Sequence, residues 1–288
     1  MRHNPLSAAT MNLYASLPES IQKLIYGFWA PLRQWLYGSC PGLRGRFNYM
    51  RVRVHFPLDS VIFRLACREH YYEEDNARLI AGLVEPESCY FDIGANIGLM
   101  AIPVLCQQPR CRVVSFEPSP NTAPSLRRTR EGSAFRNRWE VVVKALGKET
   151  GTIPFYLSQP GEGAYDGTKD TGRVKVVSVT NVPMSTLDAE WIGLGRPPVS
   201  VIKCDVEGAE LGVLEGAIEC LKSQCPFVVT EWSGKNLGVY GCSPASLVEF
   251  CSSIQYSVYA LPYMAKVETA AEIKLHMSRT ESFLLAPR

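Results

Sequence analysis

The sequence predicts an α/β protein of Rossmann-like architecture, with a seven-stranded, mostly parallel sheet that carries helices on both faces. Three observations lead to this prediction. From residue 89 onward, short apolar runs alternate with helix-like stretches, which is typical of a parallel sheet covered on both faces. The first run ends in a glycine-rich turn, and the second ends in a carboxylate. Two strand-like runs near the C-terminus predict an antiparallel pair that completes the sheet.

The predicted core elements follow one another along the chain. Strands are expected near residues 89–93, 111–117, 139–145, 199–205 and 226–231. Helices are expected near residues 97–106, 120–130, 208–222 and 243–253. The closing antiparallel pair is expected at Tyr256–Leu261 and Ser282–Ala286.

The chain is predicted to divide into an N-terminal appendage, residues 1–60, and a main domain, residues 61–288. Within the main domain, residues 147–198 interrupt the alternation of strands and helices and are rich in Gly, Thr, Ser and Pro. Short strand-like runs at Gly151–Leu157 and Arg173–Val179 stand inside this segment. Because long irregular segments in compact domains are usually functional or disordered, we expect an insertion that shapes the substrate site.

Composition restricts the class of protein. The 288 residues are 46% hydrophobic and have a net charge of +2, with acidic and basic residues interspersed, so no basic stripe for nucleic acid is expected. Ten cysteines occur without a Cys-x-x-Cys pair, and the four histidines show no zinc-ligand spacing. We expect reduced cysteines and, since no secretory signal is evident, a cytoplasmic location.

The aromatic-rich segment 21–37 has two interpretations. Lys23, Pro31 and Arg33 interrupt its apolar residues, so it falls short of the roughly 18–20 apolar residues of a membrane-spanning helix. Its Trp and Tyr residues beside basic side chains are compatible with peripheral membrane contact. The alternative, which we favour at this point, is a helix that packs on the main domain or on a second subunit.

The turn after the first core strand has the pattern Asp-x-Gly-x-Asn-x-Gly, formed by Asp92, Gly94, Asn96 and Gly98. The two glycines allow a sharp turn and close approach of a ligand to the backbone. Asp92 and Ile97 occupy positions that a dinucleotide fingerprint fills with glycine, so a nicotinamide-dependent oxidoreductase is disfavoured. A carboxylate at this turn suits a cationic ligand, and S-adenosylmethionine carries both a sulfonium and an ammonium group. The four motif residues are therefore predicted to bind this cofactor.

Glu117 ends the second core strand, 19 residues after Gly98. A carboxylate in this position can accept hydrogen bonds from both ribose hydroxyls of an adenosine. The structural alternative is an exposed loop carboxylate. The order of strand, turn, helix, strand and acid favours the cofactor-binding role.

Lys203 stands inside the apolar strand Val199–Asp205. A buried charge there costs several kcal/mol unless it is paired. Alternation along a strand puts Lys203 on the same side as Asp205. An ion pair of Lys203 with Asp205 or with Glu207 is the simplest structural interpretation.

Five short motifs together resemble the FkbM family of S-adenosylmethionine-dependent methyltransferases. They are Asp92–Gly98, Ser115–Pro118, Ala145–Gly147, Ile202–Glu210 and Thr230–Glu231. The resemblance covers roughly residues 70–288, and its most diagnostic element is Lys-x-Asp-Val-Glu-Gly-x-Glu. It implies the class I methyltransferase fold and methyl transfer, commonly to a hydroxyl of a sugar, glycan or other small metabolite, with S-adenosylhomocysteine as product.

The resemblance also bears on single positions. Tyr72 and Glu73 resemble a Tyr-Glu pair that often precedes the first strand in this family, which implies a role for Glu73 beside the cofactor. Cys204 stands where the family usually has an aliphatic residue, and a small buried thiol should be tolerated there. The insertion varies in such families, so it does not identify the acceptor.

Methylation of a hydroxyl requires a group that accepts its proton. Asp205 and Glu207, at the tip of the fourth strand, are the predicted candidates, and Glu231, at the tip of the fifth, is the reserve. Structural alternatives are that Glu207 and Glu210 are ordinary carboxylates at a helix N-terminus. Clustered carboxylates can also hold a magnesium ion, but the sequence shows no ligand pattern that favours one, so a divalent metal stays open.

The sequence is compatible with three functions. The leading hypothesis is an O-methyltransferase acting on a small molecule or glycan. An N-methyltransferase would use the same fold. A catalytically silent adenosyl-binding module that acts through its N-terminal segment is the third, and the intact motif residues argue against it.

Overall fold

The computed structural model describes residues 16–58, 60–69 and 71–288. The predictions for residues 1–15, part of the N-terminal appendage, lie outside the described residues. The strands are β1 (Arg46–Tyr49), β2 (Val52–His55), β3 (Cys89–Ile93), β4 (Arg112–Phe116), β5 (Trp139–Val142), β6 (Ala145–Leu146), β7 (Gly151–Ser158), β8 (Val176–Ser185), β9 (Val199–Cys204), β10 (Phe227–Glu231), β11 (Tyr256–Ala260), β12 (Ala265–Val267) and β13 (Ser282–Pro287).

The helices alternate with these strands through most of the chain. They are α1 (Glu19–Phe28), α2 (Ala30–Ser39), α3 (Val61–Arg68), α4 (Glu74–Leu83), α5 (Ala101–Gln107), α6 (Ala123–Gly132), α7 (Leu187–Gly193), α8 (Glu210–Glu215), α9 (Ile218–Gln224), α10 (Gly234–Leu237), α11 (Ser246–Ser253) and α12 (Ala270–Met277), with single 3₁₀ turns at Gly163–Tyr165 and Gly238–Tyr240.

The central sheet has eight strands in the order β12-β11-β13-β10-β9-β3-β4-β5. The five strands from β10 to β5 are parallel, and β13 lies antiparallel between β10 and β11. The predicted α/β class with a C-terminal antiparallel pair is thus confirmed. The three-residue strand β12 adds an eighth, edge strand that the sequence did not predict.

Two hydrophobic clusters lie on opposite faces of this sheet. Neighbouring residues of the same strand alternate between them: Tyr90 belongs to one cluster and Phe91 to the other, and both are 0% exposed. Helices α4, α5 and α6 contribute to the first cluster, and helices α7, α9 and α11 contribute to the second. Burial on both faces explains why the strands read as continuous apolar runs.

Two predicted elements are divided in the structure. The run 139–145 gives β5 up to Val142, and then Ala145–Leu146 joins a second sheet as β6. The predicted helix 208–222 is broken into α8 and α9 at Gly216, where the two backbones come close: a Cβ on Gly216 would lie 2.1 Å from the Gly147 carbonyl oxygen. Only glycine fits this contact.

The insertion forms a three-stranded sheet in the order β6-β8-β7. The loop between β7 and β8, residues 159–175, which we call the insertion loop, returns to the main domain. Val61 N–H donates to the Gly161 carbonyl at 2.7 Å, and Lys169 Nζ donates to the Val239 carbonyl at 3.0 Å. These contacts hold the loop next to the carboxyl ends of the central strands.

The described part of the N-terminal region joins the main domain at two places. Helices α1 and α2 pack on α3, where the Tyr26 hydroxyl donates to the Ala66 carbonyl at 3.1 Å. The buried Phe47 of β1 and Phe56, directly after β2, pack against Phe63 of α3, within the first hydrophobic cluster of the central sheet. The boundary at residue 60 therefore stays a prediction. All ten cysteines are free, and none of the helices in the described ranges is long and apolar enough to cross a membrane.

Because the β1–β2 hairpin packs in the same hydrophobic cluster as the central sheet, we expect the two to unfold together. We expect Phe47→Ala to lower the free energy of unfolding of one cooperative transition by about 3 kcal/mol, because a buried phenyl ring is replaced by a cavity. Phe28→Ala is the matched control, since Phe28 is 75% exposed, and it should change stability by less than about 0.5 kcal/mol. Denaturant unfolding followed by circular dichroism measures both. An early, separate transition in Phe47→Ala, with the main transition unmoved, would show instead that the hairpin folds on its own.

Candidate active site at the carboxyl ends of the strands

The glycine turn after β3 is fixed by contacts on both sides. The N–H groups of Gly94 and Ala95 both donate to the Phe116 carbonyl of β4 at 3.0 Å. Gly94 has φ +74°, and a Cβ there would lie 1.7 Å from the Asp205 carbonyl oxygen. Asn96 also has positive φ, at 49°. The turn is therefore held in one conformation between the ends of β4 and β9, and glycine is required at position 94.

Two cavities lie on either side of this turn and share Gly94, Asn96 and Ala164 in their walls. The large cavity has a volume of about 190 Å³, and the small cavity has a volume of about 50 Å³. A third space of about 190 Å³ adjoins the large cavity. The large cavity and this third space share five lining residues: Glu73, Met100, Lys203, Asp205 and Glu231.

Glu117 lines the small cavity and is 6% exposed. Its Oε2 accepts a hydrogen bond from Asn96 N–H at 2.7 Å, and its Oε1 accepts one from Ser119 N–H at 2.8 Å. Burial raises the pKa of this carboxyl to about 7, although both backbone bonds oppose the shift. The structure thus places Glu117 at the tip of the second core strand, as predicted, and inside a cavity wall.

Asp166 faces the same cavity from the insertion loop. Its carboxylate accepts hydrogen bonds from Ser119 Oγ at 2.6 Å, from Asn121 Nδ2 at 3.1 Å and from Ser158 N–H at 2.7 Å. Burial raises its pKa. These bonds attach the insertion loop to the segment that follows Glu117.

Lys203 is buried beneath the glycine turn. Its Nζ lies 2.9 Å from Asp205 Oδ2 and 3.4 Å from the Gly94 carbonyl oxygen, so the predicted ion pair with Asp205 is confirmed. In the parallel pairing of β3 and β9, Lys203 stands opposite Asp92. Burial acts to lower the pKa of Lys203, but the charges of Asp205 and Asp92 outweigh it and raise the pKa.

Asp92 lies below the turn, 0% exposed, and lines none of the three cavities. Its Oδ1 accepts a long hydrogen bond of 3.4 Å from the Tyr90 hydroxyl, and its Oδ2 has no hydrogen-bond partner among the described residues. Burial raises its pKa to about 6, while the Lys203 charge acts in the opposite direction. What the structure shows for Asp92 is a countercharge to Lys203. Cofactor contact stays a prediction.

Besides Gly94 and Asn96, four predicted acidic residues come together in the large cavity: Glu73, Asp205, Glu207 and Glu231. Glu73 has a left-handed backbone, with φ 44°, and accepts a hydrogen bond from Asn76 Nδ2 at 3.2 Å. Burial and the charges of Asp205 and Glu207 raise the pKa of Glu231 to about 10, and Glu231 forms no ion pair with any described residue. Burial among these carboxyl groups therefore favours the protonated form of Glu231.

Glu207 differs from its neighbours because it already has partners. Its Oε2 lies 2.5 Å from Arg173 Nη1 and accepts a hydrogen bond from Asn236 Nδ2 at 3.2 Å. Burial, followed by the charge of Asp205, raises its pKa to about 7. Arg173 belongs to the insertion loop, and its guanidinium lies 4.8 Å from the centre of the Tyr165 ring.

Sequence reasoning missed Arg173, Tyr165 and Asp166, all on the insertion loop. The sequence signal was weak: charged and aromatic residues inside a Gly-rich segment. Gly98, the last predicted cofactor residue, packs away from the cavities, since a Cβ there would lie 2.7 Å from the Leu126 side chain. It supports the turn from below.

The carboxylate oxygens of Asp205, Glu210 and Glu231 lie within 4.8 Å of one another. Glu210 is 1% exposed, and its Oε1 accepts hydrogen bonds from Val206 N–H at 2.9 Å and Gly208 N–H at 3.1 Å. It therefore stabilises the turn after β9. Because Lys203 already supplies a positive charge at Asp205, the cluster gives no specific support for a metal ion.

Comparisons with known proteins show which family the chain belongs to. Residues 92–250 match the family model described as methyltransferase FkbM domain. The chain is 29% identical over 209 residues to the hexuronic acid methyltransferase AglP of Haloferax volcanii, covering 70% of this chain and 80% of that protein. It is 27% identical over 173 residues to the 2-O-methyltransferase NoeI of Sinorhizobium fredii, covering 56% of this chain and 69% of that protein.

Among solved structures, a methyltransferase FkbM from Methylobacillus flagellatus aligns with a TM-score of 0.47 and 16% identity. The alignment covers 78% of this chain and 52% of that chain, so the protein spans about half of that relative. The family model matches more than half of the 288 residues. The protein is therefore a methyltransferase and belongs to the FkbM family.

Proposed function

We propose that the protein transfers a methyl group from S-adenosylmethionine to a hydroxyl group of a sugar or another small metabolite and releases S-adenosylhomocysteine. The observation that carries the proposal is the pair of cavities that meet at the glycine turn. One contains the buried Glu117 carboxyl, and the other contains four acidic side chains. The side chains that line the first suit an adenosine, and those that line the second suit an acceptor whose hydroxyl must lose a proton.

The chain's own groups fit an adenosyl ligand in three ways. The two oxygens of Glu117 can accept the two ribose hydroxyls. Apolar walls that include Phe116, Leu146 and Phe155 can enclose the base. The Asn96 Oδ1 atom, buried without a hydrogen-bond partner among the described residues, lies in a residue that lines both cavities and offers an acceptor to a donor on the ligand.

The small cavity, at about 50 Å³, is smaller than an adenosine requires. Ala164 of the insertion loop lines both cavities, so a displacement of this loop would join them. We infer that the loop moves when the ligand binds and then encloses it. The contacts of Asp166 with Ser119 and Asn121 are the bonds that such a movement would break or retain.

When bound, S-adenosylmethionine supplies an electrophilic methyl group on a sulfonium. The protein has to hold an acceptor oxygen in line with that methyl group and remove its proton. We assign the role of proton acceptor to Asp205, because Lys203 Nζ, 2.9 Å away, orients its carboxylate. Glu207 is engaged by Arg173, and burial among carboxyl groups favours the protonated form of Glu231, so we assign both to acceptor positioning.

The acceptor class rests on two observations. A relative named a hexuronic acid methyltransferase supports a sugar acceptor. Even with Glu231 protonated, the three other acids of the large cavity outnumber its two cations, Lys203 and Arg173, which favours hydroxyl donors or an ammonium group over a carboxylate. An amine acceptor is therefore the second candidate.

A panel of acceptors tests this proposal. The protein is incubated with methyl-labelled S-adenosylmethionine and with neutral hexosides, hexuronic acids or amino sugars, and the position of the label is determined by mass spectrometry. We expect labelled methyl groups on hydroxyl oxygens. A product labelled on nitrogen would select the second candidate. Intact adenosyl binding without transfer to any acceptor would favour a binding module and contradict the proposed reaction.

Protonation of Glu117 should control cofactor affinity. Because the pKa of Glu117 is about 7, we expect the affinity for S-adenosylhomocysteine to fall about tenfold from pH 8 to pH 6, as the carboxylate becomes a carboxylic acid. Glu117→Gln should bind more weakly at pH 8 and lose most of this dependence. Calorimetric titration measures both proteins. Equal affinity of the two proteins at pH 8 would remove Glu117 from the binding site.

The same shift has a consequence for stability. The pKa of Glu117 is raised in the folded state above the ordinary 4.5, so folding favours its protonated form. Its contribution to stability is present at low pH and is lost as pH rises from about 4.5 through about 7. Thermal unfolding without ligand should show this decline, and Glu117→Gln should reduce it.

Replacement of Asp205 should separate binding from chemistry. We expect Asp205→Asn to bind S-adenosylhomocysteine within about threefold of the unmodified protein but to lose at least about 100-fold in turnover, because an amide cannot accept the proton. Asp75→Asn, at an exposed position of α4, is the control and should retain full turnover. Unchanged turnover in Asp205→Asn would exclude Asp205 as the base.

A further inference from the structure

Helices α1 and α2 expose an unusual row of large apolar side chains. Leu24 and Phe28 are each 75% exposed, and Trp35 is 59% exposed. We call the whole set the N-terminal apolar face: Ile21, Leu24, Phe28, Trp29, Leu32 and Trp35. On α1 its members are spaced by three and four residues, so they share one side of the helix.

The opposite side of the two helices is already occupied. Ala30 is buried, the Tyr26 hydroxyl donates to the Ala66 carbonyl, and the Arg33 guanidinium donates to the Cys67 carbonyl at 2.7 Å. These contacts fix the helices on α3 with the N-terminal apolar face directed outward. Packing on the main domain therefore accounts for one side of this segment and leaves the other side without a function.

The region of the chain that carries this face is basic. Residues 16–68 contain eight Lys and Arg but two Asp and Glu, a net charge of +6, whereas the whole chain has +2. Arg44, Arg51, Arg53 and Arg68 are exposed, and none of them forms an ion pair with a described residue. Arg68 is adjacent to α1: a Cβ on Gly27 would lie 3.8 Å from its carbonyl oxygen.

We propose that the N-terminal apolar face docks the enzyme on the surface of an anionic phospholipid bilayer. The two helices lie in the plane of the interface, with Leu24, Phe28 and the two tryptophans inserted at the level of the headgroups. Exposed arginines of residues 16–68 that reach the bilayer, such as Arg68 next to α1, contact lipid phosphates, and each basic residue near an anionic surface contributes about 1 kcal/mol. The apolar contact and the charge attraction act in the same direction.

Charge also distinguishes this surface from a dimer interface. A second copy of the chain would bring two regions of net charge +6 together, and juxtaposed like charges oppose association. An anionic bilayer instead complements the charge.

Tryptophan fluorescence gives a test that reports on this face alone. Of the five tryptophans, Trp139, Trp191 and Trp232 are at most 2% exposed, so only Trp29 and Trp35 can meet lipid. The full chain is titrated with vesicles of phosphatidylcholine containing about one third phosphatidylglycerol, and with pure phosphatidylcholine vesicles. We expect co-sedimentation and a blue shift with the anionic vesicles, both reduced at high salt.

Variants assign the effect to the face. We expect Leu24→Ser/Phe28→Ser to lower the partition coefficient by at least about tenfold, because buried CH₂ groups are lost. Leu275→Ser is the control, since Leu275 is 67% exposed on α12, and it should partition like the unmodified protein. Trp29→Phe/Trp35→Phe should bind vesicles but lose the blue shift. All variants should retain binding of S-adenosylhomocysteine or, if the chain binds none, the unmodified unfolding temperature.

Three results would overturn the proposal. They are no partition to anionic vesicles, equal partition of Leu24→Ser/Phe28→Ser, and a dimer in size-exclusion chromatography that this double variant dissociates while vesicle binding is absent. The last result would assign the face to self-association.

Discussion

The buried Lys203 ammonium is the charge on which the geometry of this site depends. It is 6% exposed, bonds to Asp205 and the Gly94 carbonyl, and stands opposite Asp92 across the β3–β9 pair. One cation therefore connects β3, the glycine turn and the Asp205 carboxylate at the tip of β9. Because an unpaired buried charge costs several kcal/mol, the pairing of Lys203 stabilises these three parts against one another. This coupling explains why a lysine belongs in a strand that is otherwise apolar.

Several carboxyl groups lie around the Lys203–Asp205 pair, and burial raises their pKa values. Asp92, Glu117, Glu207 and Glu210 have pKa values near 6 to 7, and Glu231 has one of about 10. Burial favours the protonated forms of these groups, and a positive charge that comes close favours release of the proton. If the ligand is a sulfonium, as we propose, its binding is linked to proton release. The insertion loop adds to the same balance, because Arg173 neutralises Glu207.

The sequence predicted those features that depend on local pattern. Strand β3 was placed at residues 89–93 because its apolar run is bounded by the glycine turn, and the Lys203–Asp205 pair followed from alternation along a buried strand. Arg173 and Asp166 could not be assigned, since their positions depend on how a long loop folds back over distant strands. The break at Gly216 depends on contact with Gly147, which no local pattern encodes. Similarly, the outward direction of the N-terminal apolar face depends on the packing of its opposite side on α3, which no local pattern encodes.

The central claim is that the strand ends around the glycine turn form a site for an adenosyl ligand, with the acceptor in the large cavity. A crystal structure of the protein with S-adenosylhomocysteine tests it most directly. We expect the ribose hydroxyls to form hydrogen bonds with Glu117 and the adenine base to lie in the small cavity beneath a displaced insertion loop. The sulfur atom should be directed toward Asp205. A ligand bound elsewhere, or one in this site with its ribose away from Glu117, would contradict the account.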